Sequence, residues 1–354
     1  MSYIIGRYIS ILVLKSAFFA LALLLTLFSI LGLVETLEEV GKGTFTTFNA
    51  VSVMILEIPN RIIELLPIST LMGSVMGLGV LANNHEASAM RASGLAVKSF
   101  SKIIILISLA IAIAAFVAQN YAVPIAEKQV QRIKAYAVDQ TDYSADGFWS
   151  KKNNHLIRIE SLTRNSLAKS IEIYELSDSG KIARIITAEN ARIQANGLWE
   201  LIGVVDRNLR LEEKRSKKII PSLMWQSFLS ADQLDALVTP PHALSTYDLL
   251  NYMNANQKDG VSTRSYEIIF WQRMMLPITL VAMGMIGLPI ALSSVQSRST
   301  GVRSLVAGGI GISFYLFQQI TGHLATLLEL SALVSVVIPP IIILCLALHY
   351  AKKI

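Results

Sequence analysis

The sequence predicts an α-helical polytopic membrane protein: six transmembrane helices, split three and three, with a β-jellyroll-like domain inserted between the halves. Two observations carry this. Six uncharged, mostly aliphatic runs are Ser16–Val34, Leu65–Asn84, Ile103–Ala126, Met274–Ser297, Ser304–Gly322 and Leu330–Leu348. At ~1.5 Å per residue each can cross a hydrocarbon core of ~30 Å. Between the third run and the fourth lies a charged, polar stretch. The composition agrees: 53% of the 354 residues are hydrophobic and 16% charged, with mean hydropathy +0.52, whereas soluble domains carry ~25% charged residues. Three segments follow: residues 1–138 with the first three helices and a loop helix near 83–97, residues 139–235 with the β domain, and residues 236–354 with a connector and the last three helices.

The first run contains Ala20-Leu21-Ala22, a weak signal-peptidase pattern. It continues unbroken to Val34, too long for a cleaved apolar region, so it is read as a retained helix. Loop charge then sets the direction, because Lys and Arg gather on the cytoplasmic side of short loops. With the N-terminus inside, Arg7, Lys15, Arg91, Lys98, Lys102, Arg298, Arg303, Lys352 and Lys353 all face the cytoplasm. The opposite loops carry Glu35, Glu38, Glu39, Glu57, Glu64 and Glu329 against Lys42 and Arg61. Both termini are therefore expected in the cytoplasm and the β domain outside it, in the periplasm of a Gram-negative cell. The net charge of +6 does not indicate nucleic acid, since the basic residues flank apolar runs or lie scattered in the middle domain.

In the second run Gly73 and Gly77 permit close helix packing, as do Gly284 and Gly287 in the fourth. Between the second and third runs the chain reads Leu81-Ala-Asn-Asn-His-Glu-Ala-Ser-Ala-Met-Arg-Ala-Ser-Gly94. Asn83 or Asn84 can cap a short helix here and Gly94 can end it. Glu86 sits in the first turn, where the helix dipole favours an anion. Ala87, Met90 and Arg91 share one side. Such a helix either plugs into a groove on a partner ATPase or lies at the interface with Glu86 supporting its start.

Past the third run, Glu127–Val138 reads as helix, and then alternation replaces helical periodicity. His155–Glu160, Ser170–Glu175, Lys181–Ile186 and Leu198–Ile202 read as strands, and Val204–Glu213 and Ile219–Ser230 as more. Asp146-Gly147, Asn153-Asn154, Ser177–Gly180 and Asn196-Gly197 supply turns. Short, regular strands indicate a sandwich, jellyroll or open barrel. Thr246–Gln272 reads as the helical return to the membrane. Gly308, Gly309 and Gly311 make the fifth run smooth and bendable. Cys345 is the one cysteine, so an intramolecular disulfide and a cysteine metal site are excluded.

Several chemistries are absent from the sequence. Gly41-Lys42-Gly43 and Gly180-Lys181-Ile182 lack the rest of a phosphate-binding loop. His85-Glu86 is followed by Ala at position 89, so a zincin pair fails. Gly311-Ile-Ser313 continues as Phe-Tyr, so there is no nucleophile elbow. Charged groups are absent from the runs, and strongly polar ones such as Gln119, Gln318 and Gln319 fall near their ends. An ion-coupled carrier keeps ionisable groups at the midplane. A permease driven by a separate engine is favoured.

Leu81-Ala-x-x-x-Glu86-x-x-x-Met90-x-Ala92-Ser93-Gly94 resembles the coupling helix of the lipopolysaccharide export permeases. Arg7-Tyr8-Ile9, Pro67, Leu78-Gly79, Gly147-Phe-Trp149, Gly301-Val-Arg303 and Pro339-Pro340 resemble that family in the same order along the chain. The detail is nearer its G branch than its F branch. The resemblance implies a permease subunit without ATPase chemistry of its own, paired with a paralogous F subunit. It also implies a cytoplasmic ATPase dimer that holds the ATP and Mg, and a single-span periplasmic partner with its own jellyroll. No cofactor, metal site or nucleic-acid partner is expected in this chain. Lipopolysaccharide would enter from the outer leaflet of the inner membrane between the first and fifth helices of opposite subunits, and Glu86 would meet the ATPase groove.

The family often carries basic residues at the outer end of the first helix, where this chain has Glu35, Glu38 and Glu39 after Gly32. Arg61, with Lys42 nearby in sequence, is the remaining candidate for lipid phosphate; it is equally a partner for Glu57 or Glu64. The acidic lip, Glu35 included, is an alternative site for a cation bridging to phosphate. Phe28, Leu31, Phe314 and Phe317 are the candidate acyl-chain contacts. A competing reading is a membrane-anchored assembly protein whose β domain binds a periplasmic partner.

Overall fold

A computed structural model describes residues 2–94, 96–137, 148–152, 154–163, 167–177, 182–193, 197–209, 216–227, 241–256, 263–292, 300–328 and 330–351. The chain divides into two compact units, Met1–Val40 with Thr46–Gln131 and Glu267–Ile354, and Gly41–Phe45 with Arg132–Tyr266.

The first unit is built from α1 (Ser2–Leu37), α2 (Thr47–Asn83), the short α3 (Glu86–Ala92), α4 (Val97–Asn120) running into α5 (Ala122–Ala137) as far as Gln131, and then α7 (Arg264–Leu292) from Glu267 on, α8 (Thr300–Leu327) and α9 (Ala332–Ala351). Thr46 caps the start of α2: its backbone is extended and its Oγ1 accepts the Asn49 N–H at 3.4 Å. Five described helical spans are long and apolar enough to cross a membrane: Ile4–Leu37, Thr47–Asn83, Lys98–Lys134, Arg264–Leu292 and Ala332–Tyr350. The fifth expected run is helical within α8, but Gly308, Gly309, Gly311, Gln318 and Gln319 dilute its apolar character. Hydroxyls inside α1 return to their own helix, with Thr26 donating to Ala22 O at 2.9 Å and Thr36 to Gly32 O at 2.7 Å. Intrahelical pairing of this kind satisfies polar groups where water is excluded.

Glycine sets how closely these helices approach. A Cβ on Gly73 would overlap Ala17 of α1, and one on Gly77 would lie 2.8 Å from Val13 Cα. A Cβ on Gly284 of α7 would lie 2.8 Å from Ile104 and Ser108 of α4, and one on Gly287 would lie 2.6 Å from Ser74 Cβ. The glycines therefore serve packing within the chain, the small-residue contact that joins helices in lipid. Gly311 brings α8 onto Ile68 of α2 in the same way, whereas Gly309 faces open space.

The second unit centres on a six-stranded antiparallel sheet, β1 (Phe148–Lys152), β2 (His155–Thr163), β3 (Leu167–Leu176), β4 (Ile182–Ile193), β5 (Leu198–Asn208) and β6 (Ser216–Gln226), with α6 (Thr246–Asn256) following. The strands pair in sequence order. The inserted β domain is present, but among the described strands it is a meander without the Greek-key crossover of a jellyroll. Leu198–Ile202 and the start of Val204–Glu213, read as two strands, form the one strand Leu198–Asn208, which turns through Gly203; residues 210–213 lie outside the described residues. The expected turn at Asp146-Gly147 lies outside the described residues.

A crease lets this single sheet bury a core. The ladders skip one residue each at Glu160, Ser170, Glu189, Gly203 and Pro221, which line up across β2 to β6. Ser170 and Gly203 have positive φ, 50° and 70°, and Pro221 has no N–H to give a ladder. The inward face changes parity at this line. Ile171 and Ile173 point in on one side and Ala168 on the other; Ile186 and Ala188 are matched by Ala191 and Ile193. Residues from both sides join one cluster around Trp199, and the rings of His155 and Trp225 close to 6.3 Å. The fold-over supplies the two facing layers that a sandwich would take from two sheets.

Beyond Ile173, Ile186 and Val204, the next positions of the same parity carry charge. Arg184 donates to both Asp206 oxygens at 2.9 Å, and to Glu175 at 3.4 Å. The Arg184 hydrogen bonds hold the Asp206 carboxyl below its ordinary value against the opposing cost of desolvation. A depressed folded value stabilises above the ordinary carboxylate range, and that contribution is lost as pH falls through it. Asp206→Asn is expected to weaken β4–β5 at neutral pH and to lose less than wild type on acidification. Amide hydrogen exchange of β4 and β5 at neutral and acid pH checks this, and an unchanged acid response contradicts it.

Candidate functional site

α2 ends at Asn83, and the chain turns through His85, which adopts a left-handed conformation with φ 60° and ψ 6°. Histidine enters this region more readily than most residues. The turn starts α3, a seven-residue helix, with Ala89 N–H bonded to His85 O at 3.0 Å. The N-cap position is taken by His85, without a side-chain cap bond, rather than by Asn83 or Asn84, and Asn84 Nδ2 donates to Glu86 Oε1 at 3.1 Å. The helix ends where the sequence indicated. Ser93 N–H bonds to Ala89 O and Gly94 N–H to Arg91 O, both at 3.0 Å, and Gly94 takes φ +92°.

The faces of α3 differ from the expected grouping. Ala87 is only 4% exposed, and both it and Met90 pack on the bundle's own cluster with Ile9, Leu78, Leu81 and Phe100. Arg91 is exposed, as are Ser88, Ala89 and Ala92, so the outward surface is built on these rather than on Ala87, Met90 and Arg91. Glu86 is half-buried, and its second oxygen accepts from the Tyr8 hydroxyl of α1 at 3.0 Å. Sequence reading missed Tyr8 as a partner, because 78 residues separate the two.

Of the other candidates, Phe28, Leu31 and Glu35 lie in the C-terminal part of α1, Arg61 on α2, Lys42 between these helices, and Phe314 and Phe317 on α8. Arg61 donates to Glu57 Oε2 at 2.7 Å and to the Phe28 carbonyl of α1, and its guanidinium fills the place a side chain on Gly32 would occupy. It is committed to Glu57 rather than Glu64, which accepts from Asn60 Nδ2 at 3.0 Å. Glu35 and Glu38 are exposed. Lys42 falls in the second unit, in the turn Gly41–Phe45, where its carbonyl accepts the Phe45 N–H at 3.2 Å. Phe28 packs with Leu24, Leu65 and Ile68 and meets the Tyr315 ring edge-on at 6.3 Å. Phe314 is 5% exposed, in a cluster with Leu71, Val75, Met283 and Ala307, so it presents no surface to an acyl chain. Leu31 and Phe317 remain exposed, on α1 and α8. Among the described residues no group of three or more His, Cys, Asp and Glu is placed to hold a metal ion.

Comparison with known proteins agrees along the whole chain. The family described as "Lipopolysaccharide export system permease LptF/LptG" matches residues 7–353. The lipopolysaccharide export system permease protein LptG of Escherichia coli strain K12 is 24% identical over 344 residues, covering 95% of this chain and 94% of that protein. Its namesake in Haemophilus influenzae strain Rd is 24% identical over 341 residues, covering 96% and 95%.

Proposed function

The chain belongs to the lipopolysaccharide export permease family LptF/LptG, and from that premise we propose that it is the G-type permease subunit of an ATP-driven exporter. In this reading it lies in the inner membrane with both termini cytoplasmic. It takes lipopolysaccharide from the outer leaflet and passes it to a periplasmic bridge of jellyroll domains. The subunit pairs with a paralogous F permease, a dimeric cytoplasmic ATPase that binds ATP and Mg, and a single-span partner with its own β domain. It moves lipid without hydrolysing ATP, consistent with a sequence that lacks a phosphate-binding loop.

The observation that carries the proposal is α3: a short helix on a loop between two long apolar helices, with an acidic side chain held at its start by Tyr8 and Asn84. Its exposed Ser88, Ala89 and Arg91 enter the ATPase groove, and Glu86 meets a donor there. Arg61 binds the first two helices together, so a lipid phosphate reaching it competes with Glu57. The test is purification of the complex. Wild-type chain retains the ATPase and Glu86→Ala sheds it; a wild-type chain that purifies free of any nucleotide-binding subunit overturns the reading.

A further inference from the structure

We infer that the Tyr8 hydroxyl is a positioning group that joins α3 to α1: it orients Glu86 for the ATPase and carries the movement of α3 to the first helix. This rests on the reading of α3 as the ATPase contact, and adds to it a route by which that contact reaches the membrane.

The geometry is specific. Both Glu86 oxygens are engaged within the chain, Oε2 by Tyr8 Oη at 3.0 Å and Oε1 by Asn84 Nδ2 at 3.1 Å. A carboxylate has about four lone-pair sites, so about two stay open to an outside donor. Glu86 can thus be held and still bind. The two clamps are not equivalent: Asn84 belongs to the same turn, whereas Tyr8 belongs to another helix. Tyr8 also stands beside Ile9, which is fully buried among Leu78, Leu81 and Ala87. The base of α1 is therefore packed and directionally bonded to α3.

A fixed point lies on the other side of the turn. Arg303 of α8 is 7% exposed and donates to Asn83 Oδ1 at 3.4 Å and to Ala291 O of α7 at 3.2 Å. It anchors the last residue of α2 to two further helices. Between anchored Asn83 and tethered Glu86 stands left-handed His85. A push on α3 is then taken up at His85, and α1 follows through Tyr8 while the end of α2 stays with α7 and α8.

The experiment uses the full complex of permease pair and ATPase in nanodiscs, with Cys345→Ser as background. Spin labels at Phe18→Cys on α1 and Ile113→Cys on α4, both exposed, report their separation with and without nucleotide. Tyr8→Phe keeps the ring and removes only the hydroxyl. It is expected to lower affinity for the ATPase about tenfold, the scale of one hydrogen bond to a charged group. At saturating ATPase it is expected to abolish the nucleotide-dependent change in separation. Asn84→Ala loosens Glu86 without detaching α1, so it lowers affinity and keeps the distance change. In a Glu86→Ala background Tyr8→Phe adds no further loss of affinity. A full distance change in Tyr8→Phe with the ATPase bound overturns the inference and leaves the proposed function standing. A wild-type complex that binds no ATPase overturns both.

Discussion

Glu86→Ala is expected to reduce the affinity of the permease for its ATPase about a hundredfold. The carboxylate is fixed by two internal donors and has acceptor capacity left for the partner. Hydrogen bonds to a charged group contribute ~1.5–3 kcal/mol each. Glu86 also lies in the first turn of α3, where a negative charge stabilises a helix start by ~0.3–1 kcal/mol. Their sum is near 3 kcal/mol, about a factor of a hundred in binding. Titration of the detergent-solubilised permease pair with the ATPase measures it. An affinity within twofold of wild type would remove Glu86 from the interface.

Trp199→Ala is expected to destabilise the β domain by ~3–5 kcal/mol, the range for truncating a fully buried tryptophan. Trp199 is completely buried, sits opposite Trp225 in the β5–β6 pairing and meets its ring edge-on at 5.8 Å. It draws Ala168, Ile193 and Leu201 on its own side of the crease into one cluster with Ile157 and Ile173 on the other. Removing the indole opens the closure on which the folded-over sheet depends. Ile219→Ala, on an exposed position of the outermost strand β6, serves as the control and is expected to stay within ~0.5 kcal/mol. Proteolysis of the intact complex in increasing urea separates the two variants; equal sensitivity would show that the Trp199 cluster is not the core.

The helices were legible because spanning a membrane is a matter of length and absent charge, both visible along the chain. The loop helix was legible at its two ends, since Glu86 and Gly94 mark a start and a stop through local physics. Its facing was not. In seven residues built mostly from small side chains, spacing groups Ala87, Met90 and Arg91, but only the core of Ile9, Leu78 and Phe100 decides that Ala87 and Met90 turn inward. Likewise no local signal joins Tyr8 to Glu86 or Arg303 to Asn83, contacts 78 and 220 residues apart.

In the β domain, alternation located the strands but hid the crease, because a parity change at one residue resembles a strand end. Gly203 produced that error, and Ser170 and Pro221 share its line. For Arg61 the sequence left phosphate and carboxylate partners open. The missing side chain of Gly32 is what admits the guanidinium to the Phe28 carbonyl, beside Glu57. Phe314 shows the same limit, since an apolar residue facing lipid and one facing its own bundle read alike until packing separates them.

The most direct test of the transport claim is site-specific photocrosslinking in membranes that hold the whole complex, with a photoreactive residue placed at Leu31, Phe317 or Phe314. Leu31 and Phe317 are about half exposed and Phe314 is buried. Lipopolysaccharide adducts are expected at Leu31 and Phe317, falling when ATP is supplied, and none at Phe314. Absence of adducts at both exposed positions, in a complex that hydrolyses ATP, would contradict a lipid path along this chain.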